Sequence, residues 1–321
     1  MKLLNVLFLF SLLFFITKSS SLESVSFIFS GDTVLDDEVG EEITKGNDPF
    51  MAFNTYFSNA DIRITNLECV IATLGDPIDK FYTFRAHPRV IPILKRHFDA
   101  VALANNHSGD YGPIAFTQML DLLSKAELKQ VGGGHNLTQA HKPLIFTRRG
   151  IRIAVLSYNE FHPRSFEAGY DHAGVAWSED EQVVADIQDA RRHHLADVVI
   201  PIMHWGWENE LKANPRQKQL ARLMIDAGAD AVIGGHPHVT QEVDIYLGKP
   251  IIYSVGNFVM KEVDNDNQKK GWVVKLDLDR SGVLQLGSKG VKINANGIPS
   301  IDNLFSGPCW ARGQEKALNC F

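Results

Sequence analysis

With 321 residues, 45% of them hydrophobic and 22% charged, the chain can bury a sizeable core, as one large domain or two small ones. Its net charge of −6 is spread without long runs, which excludes a nucleic-acid footprint. The three cysteines form no CxxC or zinc-ribbon spacing.

The first 21 residues stand apart. Lys2 precedes the apolar stretch Leu3 to Ile16, and Lys18 and Ser19-Ser20-Ser21 follow it. Residues 1–21 therefore read as a signal peptide whose apolar segment is too short for a comfortable membrane span. Ser19 and Ser21 can form the cleavage site; the other reading is an uncleaved anchor. The protein from residue 22 onward is expected outside the cytoplasm: secreted, periplasmic or at the cell surface. Membrane association is expected only where the segment stays uncleaved. No cysteine follows the apolar stretch, which excludes a lipoprotein anchor. Cys309 and Cys320 can close a small loop in an oxidising space. Cys69 reads as a buried small hydrophobe.

The remaining elements follow in chain order. Val25 to Phe29 is an apolar strand running into Ser30-Gly31-Asp32. Asp36-Asp37-Glu38 and Glu41-Glu42 read as a solvated acidic loop. Phe50 to Ser58 is helical and leads to the Ile62 strand, which delivers Asn66-Leu67-Glu68. Gly75-Asp76-Pro77 is a turn. Arg85 ends an aromatic run, where it either clamps a carboxylate or phosphate bidentately or makes a surface salt bridge. Pro88 to His97 is a helix before the Ala100–Ala104 strand, which delivers Asn105-Asn106-His107.

Pro113 suits the first turn of a helix, and Ala115, Phe116, Met119, Leu120, Leu122 and Leu123 give it helical periodicity. Leu128 to Val131 is a short strand. Gly132-Gly133-Gly134 precedes no Lys-Ser or Lys-Thr and reads as a turn, not a phosphate loop. Leu144–Phe146 and Ile151–Leu156 form a hairpin. Tyr158 to Gly174 is irregular and aromatic-rich, and its His162 and His172 either line a pocket or are solvated. Glu179 to His194 is a helix with two histidines at its negative end. Val198 to Met203 delivers His204-Trp205-Gly206-Trp207-Glu208, and Asn214-Pro215 starts a helix that runs to Gly228. Asp230 to Ile233 delivers Gly234-Gly235-His236-Pro237-His238, where the glycines permit close approach. From Val239 the pattern turns β-β, with strands at Val239–Tyr246, Ile251–Tyr253, Trp272–Leu278 and Val283–Leu286 and a tail from about residue 287. No linker rich in Gly, Ser or Pro interrupts it, so residues 22–321 are expected to form a single α/β domain.

Five apolar runs thus end in a metal-capable or amide side chain, and the carboxyl ends of strands are where sites assemble in α/β sheets. The pooled set is Asp32, Glu68, Asn106, His107, His204, His236 and His238. Mixed carboxylate, amide and imidazole donors suit Mn, Fe or Zn. They outnumber what one tetrahedral zinc needs, which favours two divalent ions sharing a carboxylate over one. Such a pair activates water and clamps both oxygens of a displacement. Asn106 and His107 divide the labour, the amide on metal and the imidazole donating a proton to the leaving group.

Gly31-Asp32, Asn66-Leu67-Glu68, Asn105-Asn106-His107, His204-Trp205-Gly206-x-Glu208, Gly235-His236-Pro237-His238 and Ser254-x-Gly256-Asn257-Phe258 occur in that order. Phe84-Arg85-Ala86 precedes the Asn-Asn-His and Asp110-Tyr111-Gly112 follows it. From about Ser26 to Phe258 this set resembles the CapA (poly-γ-glutamate capsule biosynthesis) family of the calcineurin-like metallophosphatase superfamily. The resemblance implies a four-layer α/β/β/α sandwich with a metal site at the sheet edges. It matches Asp32, His204, His236 and His238 to metal-ligand positions and Glu68 to the place of a bridging aspartate. Asn106 matches the amide ligand and His107 the catalytic imidazole, while Arg85 and Asn257 stand as candidate substrate-binding residues.

Two departures stand out. The superfamily's first motif is Asp-x-His, whereas Val34 occupies the third place here and leaves one metal short of a ligand. Asp36-Asp37 replaces a Gly-Arg pair usual in relatives, which alters charge at the pocket mouth. The implied function is an extracytoplasmic metal-dependent hydrolase acting on an amide (γ-glutamyl) or phosphoester bond of an anionic envelope or capsular polymer. The alternative is a non-catalytic polymer-binding or assembly component of capsule biosynthesis, working with other capsule-assembly proteins.

Overall fold

The computed structural model describes residues 24–320 except Pro163, Glu262 and Asp264. The expected signal peptide lies outside the described residues. Among these residues no helix is long and apolar enough to cross a membrane.

All nine residues of the Val25–Thr33 strand are buried, as befits a strand covered on both faces. It lies inside a ten-stranded sheet. That sheet runs from Leu318–Cys320 through Gly307–Ala311, Gly282–Ile293, Lys270–Asp279, Val25–Thr33, Ile62–Leu67 and Ala100–Ala102 to Lys129–Val131. Asn257–Val259 and Pro299–Asp302 pair alongside it. A second, six-stranded sheet runs Val243–Tyr246, Lys249–Ile252, Val232–Gly235, Val198–His204, Ile151–Asn159, Leu144–Arg148. The site-bearing strands are parallel within each sheet, so their carboxyl ends gather along one edge.

Side-chain alternation separates the layers. Phe27, Phe29, Ile62 and Ile64 of the first sheet meet Ile153, Val155, Ile200 and Ile233 of the second in one cluster. Ile28 and Val101 face the other way, toward Phe57, Leu94, Phe116 and Met119 from helices Asn54–Ser58, Ile91–His97 and Gly112–Lys125. On the far side, Ala154, Leu156 and Val199 pack against Val183 and Ile187 of Asp180–Arg192 and Leu220 and Met224 of Pro215–Ala227. The result is the four-layer α/β/β/α sandwich. Each fully buried large apolar side chain contributes about 1.5–3 kcal/mol.

Two stretches differ from expectation. Asp37–Thr44 is a helix rather than an acidic loop. Val39 and Ile43, four residues apart, are both buried, and that pair anchors one helical face while Glu38 and Glu41 stay exposed. The acidic run hid this two-residue apolar stripe. The segment read as a tail from about residue 287 continues the Gly282–Ile293 strand and then adds three more strands to the sheet. A Cys309–Cys320 disulfide joins its last two strands.

Gly31 sets the direction in which the central strand leaves the sheet. Its φ is +70°, and a Cβ there would sit 2.5 Å from the Gly256 carbonyl oxygen. Pairing with Ile62–Leu67 and with Asn257–Val259 shifts register beside it, a bulge that re-aims Asp32. Gly31→Ala is therefore expected to cost about 1–3 kcal/mol, the range for a strained left-handed backbone. Urea denaturation checks this; unchanged stability would show that the strand end tolerates a side chain.

Candidate metal centre

Asp32 ends the central strand, opposite Asn66 on one neighbour and Asn257 on the other. Its Oδ1 accepts from Asn66 Nδ2 at 2.8 Å and its Oδ2 from the His236 backbone N–H at 3.0 Å. That second bond reaches from the first sheet to the second. It requires Gly235, where a Cβ would lie 2.7 Å from Asp32 Oδ1. His236 and His238 both adopt positive φ, +91° and +58°, strained conformations that the surrounding bonds hold in place.

His204 Nε2 lies 2.7 Å from Asn106 Oδ1, 3.1 Å from His236 Nδ1 and 3.2 Å from Glu68 Oε1. One ring nitrogen carries at most one proton and cannot satisfy three such neighbours. Glu68 is fully buried, and neither carboxylate oxygen has a hydrogen bond of acceptable geometry; the His204 contact is close but misaligned. His236 Nε2 is likewise buried without a partner. Burial and then the neighbouring Asp32 push the Glu68 carboxyl well above its usual range. Burial pushes His204 down to about 3, and drives His236 far below its ordinary value with His204 adding to it.

His238 behaves differently. Burial favours its neutral form, but Glu68 and Asp32 outweigh it and raise the ring. Its Nδ1 bonds Asn257 Oδ1 at 2.8 Å, leaving Nε2 directed to Glu68 Oε1 at 3.8 Å. Asn257 Nδ2 is spent on the Gln268 carbonyl. Asn257 thus orients a histidine, where the sequence suggested substrate contact.

Two groups of donor atoms are close enough to hold an ion, Asp32–Glu68–His238 and Glu68–His204–His236, with Glu68 common to both. Asn106 adds its amide oxygen to the second group. A third group joins Glu208 to His236 and His238.

His107 stands beside this cluster in a small cleft lined also by Tyr82, Phe84, Glu208, His238, Met260 and Gln268. Its Nδ1 lies 2.7 Å from Asp110 Oδ2, and Lys80 Nζ bridges Asp110 Oδ1 and the Asn106 carbonyl. The bond to Asp110 assigns the proton to Nδ1 and leaves Nε2 open to exchange. Burial, opposed by Asp110, pushes the ring down to about 4.

Asp32, Glu68, Asn106, His107, His204, His236, His238 and Asn257 are brought together. Arg85 is not among the residues lining the cleft. Its guanidinium lies 4.1 Å over the Tyr111 ring and donates to the Gly75 carbonyl at 3.1 Å. Asn66, Asn105, Asp110 and Glu208 lie inside or beside the motifs but outside the pooled set, and the structure brings all four to the cluster. Lys80 and Phe161, whose ring is 3.8 Å from that of His236, carry no sequence signal. His162 lines a separate cavity with Phe161, Trp207 and Arg216.

This layering is the fold of a 5'-nucleotidase precursor from Thermus thermophilus, a metallophosphatase-fold protein, at a TM-score of 0.53 and 13% identity over 87% of this chain and 56% of that one. A family model described as bacterial capsule synthesis protein PGA_cap matches residues 26–262. "PGA biosynthesis protein CapA" of Bacillus subtilis is 34% identical over 253 residues, 77% of this chain and 65% of that protein. "Capsule biosynthesis protein CapA" of Bacillus anthracis is 30% identical over 250 residues, 75% of this chain and 61% of that protein. The chain belongs to the PGA_cap family of bacterial capsule synthesis proteins. It spans less than two thirds of the length of these two relatives.

Because its guanidinium is occupied by Tyr111 and Gly75, Arg85→Ala is expected to lower stability by about 1–2 kcal/mol, the sum of a cation–π contact and a hydrogen bond. Thermal denaturation measures it. Unchanged stability with weakened polymer binding would return Arg85 to a substrate-binding role.

Proposed function

We propose that the protein is an extracytoplasmic metal-dependent hydrolase that cuts an amide (γ-glutamyl) or phosphoester bond of an anionic envelope or capsular polymer. The observation that carries this reading is Glu68, a fully buried carboxylate without a hydrogen bond. An ionised carboxylate taken from water unpaired costs several kcal/mol, and a divalent cation removes that cost. The surrounding donors fit such a cation: Asp32 and His238 to one side of Glu68, His204, His236 and Asn106 to the other. This oxygen and nitrogen set suits one or two ions of the Mn, Fe or Zn class.

Bound metal supplies an activated water and draws charge from the scissile bond. The chain's own residues do the rest. Asp110 holds the Nδ1 proton of His107, so Nε2 offers a lone pair that takes a proton from the attacking water and then passes it to the departing group. Lys80 holds Asp110 in place. Asn105 accepts the His107 backbone N–H and donates to Asn66, which ties the proton-transfer turn to Asp32. Asn257 fixes the tautomer of His238, the kind of outer partner that metal-ligating histidines use.

The layout of residues 1–21 and the Cys309–Cys320 bond both favour an oxidising compartment outside the cytoplasm. The relatives' names favour a capsular polymer, poly-γ-glutamate first, as partner. Those names speak of biosynthesis rather than cleavage, which favours the second reading: a polymer-binding component of capsule assembly whose metal is structural.

Alanine at His204, His236 or His238 is expected to lower bound metal and turnover together. His107→Ala keeps wild-type metal content and loses about 10²–10⁴-fold in turnover, the worth of a general acid. Elemental analysis beside assays on γ-glutamyl peptides and aryl phosphates decides it. Metal loss in His107→Ala would make that residue a ligand. Metal binding without turnover on either bond class would favour the assembly reading.

A further inference from the structure

In the Asp-x-His motif of the superfamily this chain resembles, the histidine stands two residues after the aspartate, which is position 34. Here it is Val34, 3% exposed and packed in the outer apolar cluster among residues such as Leu35 and Val39. The Asp32–Glu68–His238 group is thereby one donor poorer than its partner group, which gains Asn106. Glu208 is grouped with two of the same histidines. A carboxylate oxygen of Glu208 and one ring nitrogen each of His236 and His238 lie within 4.8 Å of one another. Among the described residues, no hydrogen bond to this carboxylate is formed.

The turn that carries Glu208 is anchored on both sides. Trp205 is buried and donates its indole N–H to the Tyr253 carbonyl at 2.8 Å. Gly206, at φ +87°, lies so near Gln217 that a Cβ would meet the side-chain amide at 2.8 Å. The Asn209 backbone N–H donates to the Pro237 carbonyl at 2.9 Å, and the Asn209 side chain accepts from Asn265. The His236–His238 turn and the Glu208 turn are thus bonded to each other directly. Glu208 is held at the mouth of the cleft, with His238 and His107 among the cleft's other walls.

We propose that Glu208 is a metal ligand at the mouth of the centre, the carboxylate that joins His236 and His238 in holding an ion. The inference rests on the metal-centre reading given above. It also improves the charge balance. Asp32 and Glu68 are the only charged donors in the two inner groups, and Glu208 adds a third negative charge against two divalent cations. Because Glu208 is exposed, this ligand forms the solvent side of the site.

Calorimetric titration of chelator-stripped protein with MnCl₂, with elemental analysis of the loaded forms, tests this without reference to activity. Wild type is expected to take up two equivalents. Glu208→Gln, a change at an exposed position that leaves the fold intact, weakens one of them by at least about 10–100-fold, the range that even outer partners of metal ligands command. Glu210→Gln, an equally exposed carboxylate two residues on, leaves both unchanged. Wild-type titration by Glu208→Gln would overturn the proposal. An equal loss in Glu210→Gln would also overturn it, by showing a general field effect. If wild type takes up no Mn²⁺ at all, the metal centre itself fails; if it takes up two that Glu208→Gln leaves untouched, only the ligand assignment fails.

Discussion

A carboxylate with no hydrogen bond, sealed between two sheets, is the constraint to which the rest of this structure answers. Glu68 is 0% exposed and sits 3.2 Å from His204 Nε2 and 3.8 Å from His238 Nε2. Burial alone disfavours its charged form. The nearby Asp32, also buried, pushes in the same direction. A fold retains such a group where a cation offsets the loss of water. The surrounding imidazoles make the same point from the other side. His204 and His236 are held neutral by burial, the form in which imidazole offers a lone pair to a metal.

The architecture brings these groups together with little freedom. Parallel strands in each sheet point their carboxyl ends toward one edge, and the bond from the His236 backbone to Asp32 fastens the two edges across the interface. That bond forms where Gly235 leaves no Cβ against Asp32, while Gly31 lets the strand end pass the Gly256 carbonyl. The Asn66–Asn105–His107 chain of bonds then extends the same frame to the turn that carries His107. The amides serve chiefly as struts between ionisable groups: Asn66 to Asp32, Asn257 to His238, Asn105 to the His107 backbone.

Much of this was legible in the sequence, for physical reasons. Strands buried on both faces announce themselves as unbroken apolar runs, and Val25–Phe29 and Val198–Met203 are of that kind. What such strands release at their ends was therefore readable as well, which is how Asp32, Glu68, Asn106, His204, His236 and His238 could be grouped before any coordinates. The partners of those groups were less legible. Asn257 sits in a motif, but its role depends on the ring it faces. Arg85 looked like an anion clamp because nothing in its neighbourhood showed Tyr111 arriving from 26 residues later to stack beneath it. Lys80 comes from a stretch without periodicity and reaches His107 only through the folding of that loop. The helix at Asp37–Thr44 was hidden by charge, its apolar stripe being only Val39 and Ile43.

The account turns on whether the Glu68 charge is kept for a cation, and denaturation of wild type and Glu68→Gln, each with chelator and with Mn²⁺, measures that directly. The folded carboxyl titrates well above the reference value of 4.5. Its cost to the metal-free protein is therefore absent below that value and grows as pH rises toward the folded one. At neutral pH, chelated Glu68→Gln is predicted to be more stable than chelated wild type, and Mn²⁺ to stabilise wild type but not the variant. A chelated variant less stable than wild type, with Mn²⁺ leaving wild type unmoved, would contradict the account.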